Sequence, residues 1–178
     1  MMACTKIFHK NEKGQAIIES VMCMLVTFLI LFGLLQIFYL SVAQMITDYS
    51  AFTSARSAAV GFLNDKVIRN ARVASIGASG RLVMGGAYGL NQDESMWIQD
   101  YIGGNRELDY EYWYSANNST NTSLSLSVDT NSGGMSRSLI LFNNYPINFP
   151  MKGAFTNADS TDIRAEGGIM NSCVFFTE

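Results

Sequence analysis

Apolar positions are distributed unevenly along this chain. Val21 to Leu40 reads VMCMLVTFLILFGLLQIFYL, interrupted only by Thr27, Gly33 and Gln36, and no Asp, Glu, Lys, Arg or His occurs from Ser20 to Thr47. About 20 helical residues rise about 30 Å, the thickness of a hydrocarbon core, so the run predicts a transmembrane helix over 15–40. The competing element is a cleaved secretory signal, whose apolar region runs about 7–15 residues and ends at a small-residue site. Here the run is longer, and YLSVAQM offers only a poor Ser-Val-Ala site, so the segment is expected to be retained.

No proline follows until well past Ile76. Val42, Met45, Tyr49, Phe52, Ala59 and Leu63 recur mainly at steps of three and four, with Arg56 in the missing place. This predicts an amphipathic helix over 41–76, continuous with the anchor, with part of its apolar stripe on its own domain. Beside the stripe stand Ala51, Ser54, Ala55, Ser57, Ala58, Ala59 and Gly61, small enough to admit a second helix. Arg56, Lys66, Arg69, Arg72 and Arg81 read as the wet face of this helix or as contacts to lipid headgroups.

Residues 77–178 change texture. GASGRLVMGGAYGLNQDE reads as loop, and ESMWIQDYIGGN as a short helix ended by Gly103. ELDYEYWYS alternates and predicts a strand, with Glu107, Asp109 and Glu111 on its wet face. SLSLSVDT predicts a strand with Leu124, Leu126 and Val128 on one face. SRSLILFNNYPINFPM predicts another, broken around Pro146 and Pro150, and CVFFT a short last strand. NNSTNT is an exposed tip in which Asn117, Asn118 and Asn121 each begin an Asn-x-Ser/Thr triplet, read here as polar turn sequence. The predicted fold is α+β: a long N-terminal helix, half transmembrane and half amphipathic, followed by a small antiparallel sheet domain.

Charge assigns a direction. The chain carries a formal −3; Lys6, Lys10 and Lys13 against Glu12 leave +2 on residues 1–14, hence −5 on the rest. A basic end before an apolar run predicts a cytoplasmic N-terminus and an exported C-terminal domain. Nothing in this balance suggests a nucleic-acid binder. Of the three cysteines, Cys4, Cys23 and Cys173, only Cys173 falls in the exported part, so no disulfide can form within it. The single histidine, His9, precedes the anchor, which excludes a His-dependent triad or a His-bearing zinc site from the exported part. Asp93 with Glu94, or the trio of Glu107, Asp109 and Glu111, form no recognisable calcium loop. Neither an enzyme nor a cofactor or metal site is expected.

One motif gathers these features. KGQAIIES, Lys13 to Ser20, ends a basic leader in Gly14 and places Glu19 at the mouth of the apolar run. It resembles the class III signal of type IV pilins, and the resemblance implies cleavage by a prepilin peptidase between Gly14 and Gln15. Leader 1–14 would be lost and Glu19 would become the fifth residue of the mature chain. The new α-amino group is charged near neutral pH, and an unpaired carboxylate in an apolar medium costs several kcal/mol, on the order of a buried unpaired charge. Pairing Glu19 of one subunit with the amine of its neighbour would set the axial register of otherwise featureless helices.

GQAIIESVMCMLVTFLILFGLLQIFYLSVAQ followed by AFTSARSAAVGF resembles, more narrowly, the TadE-like pseudopilins of tight-adherence (Flp) pilus systems, over about residues 13–62. SLILFNNYPINFP is similar to that family's closing strand. Ser20 stands where a bulky residue commonly follows the glutamate, and the membrane helix lacks the proline many members carry. The resemblance implies a minor pilin or pseudopilin, single-pass in the cytoplasmic membrane and thereafter in the pilus or at the cell surface. Its partners would be the prepilin peptidase, the assembly platform, membrane lipid before assembly, and other pilin subunits through helix packing. A pseudopilin of a type II secretion or DNA-uptake machine, and a membrane-tethered binding module without a filament, stay open as alternatives.

Overall fold

The computed structural model describes residues 9–83, 94–104, 108–114, 121–132, 135–147 and 158–170. Cys4, Cys173, the CVFFT segment, Asn117, Asn118, Asp93 and Glu107 lie outside them. A long N-terminal helix is followed by a small three-stranded antiparallel sheet, an α+β layout. Helix α1 runs from His9 to Ala59, 51 residues and about 76 Å at the usual rise. Helix α2 spans Asn64–Ala74, a 3₁₀ turn spans Ile76–Ala78, and helix α3 spans Glu94–Gly103. Strands β1 (Ser123–Ser132), β2 (Met135–Pro146) and β3 (Ser160–Met170) lie in the order β1-β2-β3.

The continuous helix expected to Ile76 is interrupted. Gly61 adopts a φ of +87°, its N–H donates to the Ala58 carbonyl, and the Phe62 N–H donates to the Ser57 carbonyl. This pair of bonds, with glycine at the left-handed position, is a Schellman stop. Absence of proline had suggested continuity, but a single glycine suffices to end a helix. The chain folds back as α2, and the Ser50 hydroxyl donates to the Ala71 carbonyl at 2.6 Å.

The face of α1 that packs inward also differs from the expected one. Val42, Met45, Tyr49, Phe52 and Leu63 are exposed, and Met45 is 70% accessible. Of the stripe read from the sequence only Ala59 is buried. The buried face carries Ala43, Thr47, Ser50, Ala51, Ser54, Ala55 and Ala58. These small residues also recur at three and four, and they let the sheet come close. The Ser54 and Ser138 hydroxyls are hydrogen-bonded across the contact. A Cβ on Gly167 of β3 would sit 2.5 Å from the Ala51 carbonyl oxygen, so helix backbone and strand backbone touch there.

The sheet presents one face to α1. In β2, Ser136, Ser138, Ile140 and Phe142 are buried and alternate with more open positions. In β3, Ile163, Ala165 and Gly167 point inward while Asp162, Arg164 and Glu166 are exposed. β1 carries Leu124 and Leu126 toward the core, as its alternation predicts. β3 was not anticipated, because its inward residues past Ile163 are an alanine and a glycine. The strand predicted over ELDYEYWYS is absent from described residues 108–114, which form a bridge from Tyr110 to Leu82 and then a turn. Alternation of aromatic and acidic residues misled here, since Leu108, Tyr110, Tyr112 and Trp113 are all buried. The turn lets Tyr112 and Trp113, adjacent in sequence, both reach the interior.

Gly167→Ala is expected to destabilise the fold by about 1–3 kcal/mol, the usual range for overpacking, because the obstructing atom belongs to backbone and cannot swing away. Gly168→Ala meets only the Met135 sulfur at 3.6 Å and is expected to stay within about 0.5 kcal/mol. Denaturant midpoints of the two variants measure the difference; equal midpoints would show that the backbones do not touch.

Candidate functional site

The N-terminal half of α1 makes little contact with the rest of the protein. One helix, Gly14–Ala59, is long and apolar enough to cross a membrane, and only 6% of its most apolar window is buried. A core helix of a soluble protein would be mostly covered. Ile17, Ile18, Val21, Met22, Met24, Leu25, Val26 and Phe28 are all exposed. Two hydroxyls at the start of the run and within it are satisfied locally: that of Ser20 donates to the Ile17 carbonyl and that of Thr27 to the Cys23 carbonyl, both at 2.8 Å. Backbone groups of a helix are likewise internally bonded, so this surface is suited to an apolar surrounding.

Gly14, Gln15 and Glu19 all lie on this bare helix and are exposed. A Cβ at Gly14 would meet nothing within 4 Å, so no packing demand of the folded chain accounts for glycine there. Gln15 and Glu19 are four residues apart, hence on one face of the helix. The helix runs through them without a break. The fold therefore presents the three residues to the surroundings and does not engage them.

The domain meets the helix at Gln36. That side chain, polar within the apolar run, is buried and lines a cleft of about 610 Å³ with Ile147, Ala158, Ser160 and Thr161. The bare length thus corresponds to residues 14–35, about 33 Å of helix. One turn further, the Tyr39 hydroxyl is hydrogen-bonded to the Tyr145 hydroxyl at 3.1 Å. Tyr145 is fully buried, with Tyr112 and Phe142 edge-on to it.

Strict alternation would turn Tyr145 away from the face that Phe142 occupies. The register shifts between Phe142 and Tyr145, and Asn144 takes a φ of 54°. Its N–H donates to the Asp162 carboxylate at 2.8 Å, and its carbonyl accepts from the Thr122 hydroxyl at 2.8 Å. This bulge returns Tyr145 to the interior, where it meets the helix. Burial, then the hydrogen bond to Tyr39, pushes the Tyr145 hydroxyl well above the usual tyrosine range.

The exposed apolar surface continues past this junction. Phe38, Val42, Met45, Tyr49 and Phe52 extend the bare face along the part of α1 whose other side holds the sheet. The sequence pattern places part of the stripe of Val42, Met45, Tyr49 and Phe52 against the domain, and all four are exposed. The signal that finds the true inward face is the second stripe, the small residues at the same spacing.

No protein-family model, no curated protein and no solved structure matches this chain.

A tyrosine held neutral in the fold gives stability a definite alkaline limit. Because the folded value exceeds the unfolded one, the contribution is complete below about pH 10 and declines above it, where the unfolded chain releases a proton the fold retains. The thermal midpoint is expected to be flat from about pH 7 to pH 9 and to fall above about pH 10. Tyr145→Phe should reduce that fall, with Tyr112, also raised by burial, leaving a remainder. Melting curves of both proteins across this range provide the check, and identical slopes would remove Tyr145 as the cause.

Proposed function

We propose that this chain is a prepilin-like subunit, a minor pilin or pseudopilin of a tight-adherence type, that acts in assembling a filament for surface adhesion. The observation that carries the reading is the placement of Gly14, Gln15 and Glu19 on the bare part of a helix whose far half alone holds the domain. In a bilayer, the exposed residues from Ile17 to Leu35 face lipid. In a filament, the same residues face the helices of neighbouring subunits, so transfer exchanges one apolar contact for another and costs little. The basic leader keeps the N-terminus cytoplasmic and the domain is exported.

The chemistry of register follows from Glu19. Cleavage between Gly14 and Gln15 creates an ammonium within the first turn of the mature helix. A carboxylate in the filament core requires a positive partner, and the amine of the adjacent subunit supplies it. Apolar side chains alone would allow the rods to slide, whereas one ion pair per subunit selects a single axial offset. The small-residue packing of Ala51 and Ser54 is already used within the chain. Lateral contacts beyond the membrane segment therefore fall to Val42, Met45, Tyr49 and Phe52.

Mass spectrometry of the native N-terminus tests the reading: a mature chain beginning at Gln15 is expected, and an intact Met1 or a cut near Ala43 would overturn it. Glu19→Ala is expected to insert into the membrane as the parent does, yet to fall about tenfold or more in sheared surface fractions, the effect of losing at least 1.4 kcal/mol at the contact. Normal incorporation of that variant would remove the register argument.

A further inference from the structure

A second feature lies away from the bare helix. Arg69 and Arg72 of α2 are three residues apart and turn the same way, toward α3 and the Leu108–Tyr114 turn. The Arg69 Nη1 donates to the Tyr101 carbonyl at 3.1 Å, and its guanidinium lies 5.7 Å from the Tyr101 ring centre. The Arg72 Nη1 donates to the Tyr114 hydroxyl at 2.8 Å and to the Tyr101 hydroxyl at 3.4 Å. The Arg72 guanidinium also lies over Tyr114 at 5.0 Å and Trp113 at 5.9 Å. Burial alone would weaken its hold on the proton, but the bonds and charge of Tyr101 and Tyr114 outweigh that, so it stays cationic. Among the described residues, no carboxylate is in ion-pair contact with either arginine. These side chains line a cleft of about 350 Å³, with Asp65 and Asp109 at its edge and Ile68 and Leu108 as apolar floor.

We infer that this cleft is a binding site for a carboxylate-bearing saccharide. Two guanidiniums held by ring stacking and tyrosine hydrogen bonds, with donors to spare, match a carboxylate, which arginine binds in a forked geometry. A hydrogen-bond acceptor for sugar hydroxyls stands beside them in Asp65, and the phenol of Tyr114 is 44% exposed. That mixture of signs favours a single negative charge surrounded by hydroxyl donors. A phosphate dianion would be repelled by the two aspartates, and a neutral sugar would leave the guanidiniums unmatched. The volume sits at the small end of ligand pockets, which suits one sugar unit. Ser50, bonded to Ala71 of α2, is about 21 Å along α1 from Gln36, so the cleft is out of reach of any headgroup around the bare helix.

The test uses the full chain in a detergent lacking sugar and phosphate headgroups, titrated calorimetrically with glucuronate, glucose and inorganic phosphate. Glucuronate is expected to bind saturably, with glucose and phosphate at least about tenfold weaker. Arg72→Lys keeps the charge but not the fork, and Arg69→Gln removes the charge together with the guanidinium contacts to Tyr101; each should weaken glucuronate about tenfold or more while the melting temperature stays near the parent's. Equal affinity for glucuronate and glucose overturns the assignment, as does phosphate binding as tightly as glucuronate, or parent-like binding by both variants. The outcome is independent of processing at Gly14, because the cleft is remote from that end.

Discussion

The contact between the backbone of α1 at Ala51 and the backbone of β3 at Gly167 is the constraint on which the rest of this architecture depends. Two elements approach that closely only where neither projects a side chain of any size. The helix therefore offers Ala43, Thr47, Ala51, Ser54 and Ala58, and the sheet offers Ser138, Ala165 and Gly167. Larger apolar residues flank the contact, Ile140 beside Ala51 and Ala165, and Phe142, Tyr145 and Ile163 beside Ala43. Most buried serine and threonine hydroxyls find a nearby carbonyl or a facing hydroxyl, as Thr47 does at Ala43 and Ser54 at Ala51 and Ser138, while the Ser136 hydroxyl has no such bond.

That choice of inner face dictates the outer one. With small residues committed to the domain, most long apolar side chains of α1 from Ile17 to Phe52 are left outside, while Leu40 and Ile46 pack against the core. Each buried square ångström of such surface is worth about 25 cal/mol, so a surface this long is expensive to leave in water. Lipid can cover its N-terminal part, and helices of other chains can cover the whole of it. On the proposed reading both occur in succession, and Glu19 with the new amine decides how the covered helices align. The domain needs no rearrangement for this exchange, because nothing it buries belongs to the exposed face.

The junction near Gln36 separates these two regimes. Below it the helix is largely exposed; above it the sheet, α2 and the tyrosine pair hold it firmly. The bulge at Asn144 is what makes the junction. By spending one extra residue, β2 presents both Phe142 and Tyr145 inward, and the second reaches Tyr39 at the edge of the apolar run. A residue with a hydroxyl at that level bonds another residue of the chain, so its polarity is satisfied at the point where the surroundings change.

Several elements were legible without coordinates, for identifiable reasons. An apolar run of anchor length broken only by Thr27, Gly33 and Gln36, the alternation of SLSLSV, the β-rich SLILF segment and the two glycines after ESMWIQDYI, of which Gly104 rather than Gly103 takes the left-handed turn, each specify local conformation by periodicity or sterics alone. The glycine stop at Gly61 was present in the sequence and outweighed the absence of proline. What only the tertiary structure decided is which of two equally periodic stripes on α1 turns inward, since that depends on how closely a distant strand, itself disguised by Ala165 and Gly167, can approach. It also decided the inward turn of Tyr145, through a bulge fixed by Asp162 and Thr122, and the meeting of Arg69 and Arg72 with Tyr101 and Tyr114. These are contacts between segments far apart in the chain, and a linear pattern carries no information about the distance between two surfaces.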